Sequence, residues 1–387
     1  MSFLCNTQRT LIICNHFNAH YRGPVLEALS RLCHASEIQL VLISGKTSGE
    51  SFLKPLDLMA FRKRTGAEVR YVRNFWFLRI FLWQSGLLSA LFKYRGSPVV
   101  FLGVMYHLST WPGALLVRAL GGRVLFWTHG FLRLEYGLKG WIRKRFYRLS
   151  EECLVYGLRA QALFKTMRLG IPAKVIFNSL DWSDQKDYPL TTSAERKRIR
   201  EKMRIAEEYT LVFSGRLIRK FRLDLLFRAL AFMQAKGESL PAVLVVGDGP
   251  EAEGLHRQIQ EHGLKSSIQF FGAVYDQHLL AKIFSVADIC VVPAKAGLSV
   301  IHAMSFGVPV ITDNAVEEQM PESEAIIEGV TGFFYHSGDV QSLAAAIIKA
   351  RESNEPMRVS CRHMVEQYYN PENQAQLIFA SCFPGDA

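Results

Sequence analysis

The chain has 387 residues, 49% apolar and 21% charged, enough for two domains with a core each and unlike a disordered or fibrous composition. Its net charge of +11 is uneven: residues 1–190 carry 26 Lys and Arg against 11 Asp and Glu (+15), and residues 191–387 carry 20 against 24 (−4). A basic half suits an anionic surface, nucleic acid or membrane, and cations set beside aromatic side chains favour the membrane over nucleic acid.

The first half alternates strands and helices. Strands are expected at Thr10–Asn15, Ile38–Ile43, near Val69–Val72, and at Pro98–Leu102, Arg123–Trp127, Leu154–Tyr156 and Lys174–Phe177. Helices are expected at Pro24–Cys33, Leu78–Lys93, Leu108–Leu120, Leu138–Leu149 and Arg159–Leu169. This rhythm predicts a parallel sheet covered on both faces. Asn74–Phe92 is rich in Phe, Trp and Leu but carries Arg79 and Gln84, which argues against a membrane span. It reads as a helix packed on the sheet or one lying in a membrane interface. Lys139–Arg148 interleaves Trp, Phe and Tyr with five cations and reads as a solvated helix face or a membrane-docking one.

Asn178 to about Ser193 is polar, carries Asp181, Asp184, Asp187 and Pro189, and reads as a connector. A second α/β unit follows, with strands Tyr209–Ser214, Ala242–Gly247, Ser267–Phe271, Ile289–Val292 and Val310–Thr312. Its helices are expected at Leu223–Ala235, Glu251–Glu261, His278–Ser285 and Ser299–Phe306, with Ser299 as a cap, and two more close the chain at Pro356–Tyr368 and Pro371–Ser381. The seven cysteines (Cys5, Cys14, Cys33, Cys153, Cys290, Cys361, Cys382) show no metal or CxxC spacing and read as small buried hydrophobes in a reducing cytosol. No signal-peptide pattern opens the chain.

Val291–Asn314 carries the chemistry. A strand runs into a Pro/Gly loop, a helix follows, and Gly307-Val308-Pro309 stops it before the next strand. A helix N-terminus at the carboxyl edge of a sheet binds a diphosphate through backbone N–H groups. Ala303-Met304-Ser305-Phe306-Gly307-Val308-Pro309-Val310 resembles the donor-sugar motif of the family 4 (group 1) retaining glycosyltransferases, with Ala294 and His302 where that motif has its two glutamates. Gln319-Met320-Pro321-Glu322, Glu324-Ala325-Ile326 and Thr331-Gly332-Phe333-Phe334 resemble a branch working in bacterial surface-polysaccharide synthesis.

The resemblance implies the GT-B architecture, two Rossmann-like domains facing across a cleft. It divides the chain into an acceptor-binding domain (1–190), a nucleotide-sugar domain (191–355) and C-terminal helices (356–387) crossing back to the first domain. In Ser214-Gly215-Arg216-Leu217, Arg216 matches the Arg that holds the donor diphosphate, and Phe221 stands where the family has a Lys, between Lys220 and Arg222. Gly249 and Gly272 follow strands and border the nucleotide site, while Gly297, Leu298 and Ser299 offer N–H groups to the diphosphate. His302 replaces the ribose-contacting Glu and can both donate and accept. His129, in Thr128-His129-Gly130 at a strand end, matches the His that reaches the donor sugar. His129 and His302 are therefore the candidate catalytic residues. His20, Tyr21 and Arg22, after the first strand, suit a diphosphate or an anionic acceptor.

No Walker loop, GxSxG, HExxH or Asp-x-Asp metal motif occurs. The expectation is metal-independent sugar transfer, with retention, from a nucleotide-diphosphate co-substrate to a hydroxyl of a lipid-linked glycan or polysaccharide precursor, with no cofactor and no nucleic-acid partner, at the inner face of the cytoplasmic membrane. The alternatives are a nucleotide-sugar epimerase on the same fold and a non-catalytic scaffold with a degenerate donor site.

Overall fold

A computed structural model describes residues 9–46, 54–186, 190–207, 209–351 and 355–385. The chain forms two compact units, Met1–Asp181 with Asn370–Ala387, and Trp182–Tyr369. The sequence-based boundary at 190 thus lies inside the second unit. Asp187 and Pro189 of the expected connector, and Cys5, lie outside the described residues.

In the first unit, eight strands lie in the order β4-β3-β2-β1-β5-β6-β7-β8. They are β1 (Thr10–Asn15), β2 (Gln39–Gly45), β3 (Glu68–Phe77), β4 (Phe81–Ser85), β5 (Val99–Leu102), β6 (Val124–Thr128), β7 (Glu152–Val155) and β8 (Ala173–Val175). The helices are α1 (Gly23–Ala35), α2 (Leu58–Thr65), α3 (Leu87–Lys93), α4 (Thr110–Ala119), α5 (Gly137–Tyr147) and α6 (Leu158–Thr166). The apolar runs in the central strands follow from burial on both faces. Leu11 and Ile13 of β1 join Leu40, Leu42, Val100 and Trp127 in a core on one face, under α1 and the C-terminal helix Pro371–Cys382. Ile12 and Cys14 join Val41, Ile43, Phe101 and Phe126 on the other.

The structure corrects one segment. Where a short strand and a helix over Leu78–Lys93 are expected, β3 runs ten residues and pairs antiparallel with β4, and only Leu87–Lys93 is helical. The interfacial-helix reading of Asn74–Phe92 falls with it. The burial shows why: Leu82 and Gln84 are buried (0% and 5% exposed) while Trp83 between them is 38% exposed, a period of two that only a strand satisfies. Gln84 donates to the Asn15 carbonyl and the Asn74 side chain, and is thereby a satisfied buried amide. The hairpin turns at Leu78 and Arg79, both at positive φ (50° and 58°), a conformation usually given to Asn-Gly.

The second unit has a six-stranded all-parallel sheet in the order β11-β10-β9-β12-β13-β14. Its strands are β9 (Thr210–Ser214), β10 (Ala242–Val246), β11 (Ile268–Gly272), β12 (Ile289–Val291), β13 (Val310–Asp313) and β14 (Gly332–Tyr335). Numbered from β9, this is the 3-2-1-4-5-6 order of the dinucleotide-binding folds. Its helices are α7 (Ser183–Lys186), α8 (Ser193–Met203), α9 (Leu223–Ala235), α10 (Ala252–Glu261), α11 (Gln277–Val286), α12 (Leu298–Ser305), α13 (Val340–Ala350) and α14 (Glu355–Gln367). The C-terminal helix of the first unit, Pro371–Cys382, is α15.

Helix α8 has no buried residue, so no apolar stripe announces it. A capping box between Thr192 and Glu195 starts it. Arg196 and Arg200 then bind the Asp288 carboxylate, which also accepts from the Thr210 backbone N–H at 2.8 Å. Six cysteines are free and buried, and burial pushes their thiols up, as small core residues require. Asp288→Ala removes the shared acceptor of two guanidiniums and a strand N–H. The second unit should lose about 3 kcal/mol or more of stability, read by urea unfolding, whereas Glu195→Ala, at an exposed helix start, should move the midpoint far less.

Candidate functional site

Where strand order reverses in an open α/β sheet, the loops leaving neighbouring strands diverge and leave a crevice at the carboxyl ends. In the second unit this falls between β9 and β12. The loop after β9 is tied to the loop after β10: Gly215 N–H donates to the Val246 carbonyl (3.0 Å) and Leu217 N–H to the Asp248 carbonyl (2.9 Å). The backbones pass so closely that a Cβ on Gly247 would lie 1.8 Å from the Gly215 oxygen, and one on Gly249 2.2 Å from the Leu217 oxygen. Gly272 is drawn in by its carbonyl, which accepts from Gly247 N–H at 2.7 Å. Gly249 and Gly272 are thus brought beside the Arg216 loop, where exposed Arg216 lines a pocket of about 340 Å3 with Arg219, Arg222 and Glu251.

Of the two cations flanking Phe221, Arg222 forks onto Asp224 (Nε–Oδ1 3.0 Å, Nη2–Oδ2 3.1 Å). Lys220 extends over the Phe221 ring at 5.1 Å and is solvent-exposed. Arg222 is held by Asp224 in this arrangement, and Arg216 and Lys220 are the exposed cations of the loop.

The loop after β12 is held by buried Gln319. Its Oε1 accepts from Ala296 N–H (2.6 Å), and its Nε2 donates to Thr312 Oγ1 and Asp313 Oδ1 (3.1 and 2.7 Å). Tyr335 donates to the Pro293 carbonyl. The N-cap of α12 is Gly297, not Ser299, which sits inside the first turn, so the N-cap residue makes no side-chain capping bond. Gly297, Leu298 and Ser299 therefore form a helix N-terminus whose N-cap brings no side-chain acceptor of its own, with the buried Glu322 carboxylate close by, its Oε2 3.9 Å from where a Cβ on Gly297 would lie. Lys295 pairs with Glu318, so its ammonium is engaged next to Ala294.

His302, on the second turn of α12, packs edge-on to Phe284 and Phe306 (centroids 4.9 and 5.4 Å). Burial lowers its pKa to about 4, so it is a neutral imidazole at pH 7.

In the first unit the order reverses between β1 and β5, and a pocket of about 400 Å3 opens there. It is lined by Tyr21, Arg22 and His129, all expected, and by His16, Arg143 and Tyr156, which the sequence reading missed. Their common signal is position, since each loop or helix follows the carboxyl end of a strand or faces it. His20 is exposed and lies outside the lining. Thr128 fixes the His129 loop by donating to the Gly103 carbonyl (2.9 Å) and accepting from Gly130 N–H (3.1 Å). His129 lies against Tyr156 (4.8 Å), and desolvation, then the Arg22 charge, pushes its pKa down.

Residues 195–368, nearly all of the second unit, match the family model of the glycosyl transferases group 1. This segment is similar to the glycosyl transferases group 1. The group 1 match is echoed among curated proteins by the GDP-mannose-dependent alpha-(1-6)-phosphatidylinositol monomannoside mannosyltransferases. That of Mycolicibacterium smegmatis is 26% identical over 162 residues (39% of this chain, 41% of the relative), and that of Mycobacterium tuberculosis 30% over 132 residues (32% and 34%). The chain thus spans less than half the length of the curated relatives it matches. Among solved structures, HepE of Anabaena in complex with UDP has a TM-score of 0.68 at 17% identity, covering 96% of this chain and 99% of that one. A glycosyltransferase from Rickettsia africae has 0.70 at 15% (98% and 100%), and the lipopolysaccharide outer core galactosyltransferase WaaB 0.69 at 13% (96% and 99%). These likenesses show the fold, with the two sheets of GT-B glycosyltransferases.

The lowered pKa of His302 has a sign. Its unfolded value is 6.5 and its folded value about 4, so below pH 6.5 the unfolded chain binds the proton first. Stability of the second unit should be full above pH 6.5 and fall as pH drops toward 4, and His302→Leu should flatten that slope in denaturant midpoints measured across pH.

Proposed function

We propose that the protein transfers a sugar from a nucleotide-diphosphate donor to a hydroxyl of a lipid-linked glycan, with retention and without a metal ion. One observation carries the reading. In the segment that matches the group 1 family, the N-terminus of α12, with Gly297 as its N-cap, and the Arg216 loop follow neighbouring strands at the strand-order reversal. A diphosphate there meets backbone N–H groups and a guanidinium that forks onto two phosphate oxygens, with Lys220 within reach of the same loop. Gly249 and Gly272 leave the backbone bare beside it for the nucleoside. His302 supplies a donor and acceptor for ribose, and His129 a polar group for the sugar. The relatives that use GDP-mannose on a phosphatidylinositol mannoside, and the galactosyltransferase of the lipopolysaccharide outer core, support a glycolipid acceptor by analogy.

Calorimetric titration with UDP, GDP, ADP and CMP tests this. One nucleotide should bind, and Arg216→Ala should weaken it by about 1.5–3 kcal/mol, about ten- to a hundredfold. If none binds, the scaffold reading takes its place.

The acceptor reading includes peripheral docking on the inner face of an anionic membrane. Among the described residues no helix is long and apolar enough to cross a membrane. Residues 69–134 contain eight Lys and Arg and no Asp or Glu. Within them the β3–β4 hairpin exposes Phe77 (53%), Leu78 (83%) and Ile80 (54%) at its tip, and Trp141 of α5 is 56% exposed under Arg145. Apolar tips among cations suit an interface of acyl chains below anionic headgroups. Vesicles containing one anionic lipid in three should bind the protein, and Leu78→Ser with Ile80→Ser should weaken binding about tenfold or more. Unchanged co-flotation of the double variant would remove the hairpin from the docking surface.

A further inference from the structure

From the pocket in the first unit we infer that it is a phosphate site for the acceptor, with Arg22 as its principal ligand. The inference rests on the transferase reading only in calling that ligand an acceptor. Arg22 lies half-buried in the pocket wall. Its guanidinium stacks on Trp127 (4.9 Å) and donates to Asn15 Oδ1 and to the Tyr156 hydroxyl, both at 3.4 Å, and it is also bonded to the Tyr21 hydroxyl. Every one of these partners is neutral. Among the described residues no carboxylate pairs with it, although other inward-facing cations, such as Arg143 with Glu135, have one.

Removing a guanidinium from water is costly unless an anion repays the loss. The fold nevertheless holds this one in place through a buried chain of amides. Asn18 donates to Ser44 Oγ (3.1 Å), Asn15 donates to Asn18 Oδ1 (2.7 Å), and Asn15 Oδ1 then faces Arg22. Asn15, Asn18 and Ser44 are 2%, 3% and 0% exposed, so the arrangement is built into the core and is not a surface accident.

The rest of the polar lining is neutral or cationic. Arg143, His16, His129, Tyr21, Tyr147 and Tyr156 contribute polar groups, and among the described residues no Asp or Glu lines the cavity. At about 400 Å3 it admits one sugar-sized group with its anion. A phosphate fits this donor set: it only accepts hydrogen bonds, and it offers oxygens in several directions to a planar fork and to the surrounding N–H and O–H groups. The phosphate belongs either to a soluble sugar phosphate or to the headgroup of a lipid diphosphate.

The test titrates the whole protein with glucose 1-phosphate, farnesyl diphosphate and, as a neutral control, glucose, and follows the imidazole signals of His16 and His129 by NMR. Either phosphate should shift both imidazoles, and glucose should not. Tighter binding of farnesyl diphosphate assigns the lipid source, and tighter binding of glucose 1-phosphate the soluble one. Arg22→Gln should weaken the phosphate about ten- to a hundredfold, whereas Arg216→Ala should leave it unchanged. Unshifted imidazoles in the unsubstituted protein overturn the proposal without any variant, so a misfolded Arg22→Gln does not shelter it. Equal weakening by Arg216→Ala also overturns it, because the probe then sits in the second unit. No arm requires a nucleotide, so failure of the donor reading and failure of this one are separately visible.

Discussion

Parallel strands are joined by right-handed crossovers, so a sheet can grow in both directions from its first strand only by sending the next helix to the opposite face. This constraint acts twice in the chain. In each unit, the first strand sits mid-sheet and the later strands are added on its other side. Wherever that happens, two loops part at the carboxyl edge, and the polar groups they carry gain a crevice that side-chain packing does not close. The Arg216 loop and the N-terminus of α12 owe their places after neighbouring strands to it in one unit, and Arg22 and His129 their shared pocket in the other. The crevices come from winding, and the residues only decide what enters them.

What makes the second crevice usable is economy of side chains. Gly215, Gly247 and Gly249 let two loops run backbone against backbone, and Gln319 uses both ends of its amide to fasten the loop after β12 to β13. Fixing these loops before any ligand arrives removes an ordering cost from binding. The first crevice is stiffened differently, by the buried amides of Asn15 and Asn18 and the Thr128 hydroxyl.

The doubly buried strands were legible because near-continuous apolar runs between turn residues leave few alternatives, and Thr10–Asn15 and Leu223–Ala235 match their predicted limits. The Asn74–Phe92 stretch misled because aromatic and aliphatic residues fall on both faces of the hairpin, so its period of two is hidden and composition alone resembles an amphipathic helix. Helix α8 left no apolar trace, its hold being electrostatic through Asp288, a partner distant in sequence. Pocket residues named from motifs, such as Arg22 and His129, could be found one by one. His16, Arg143 and Tyr156 could not, since only the strand order brings them together.

Arg362 deserves a last consequence. From α14 it donates to the Ser305 carbonyl at the end of α12 (3.0 Å), and its other nitrogen donates to the Gln185 and Lys186 carbonyls of α7. A fixed cation therefore sits on the negative pole of α12, while at the positive pole the N-cap is a glycine with the buried Glu322 carboxylate beside it. The helix is wired like a cell with one terminal grounded. Its field is met at the tail by that guanidinium. Because the same guanidinium holds α7, the segment entering this unit is fastened to the grounded end.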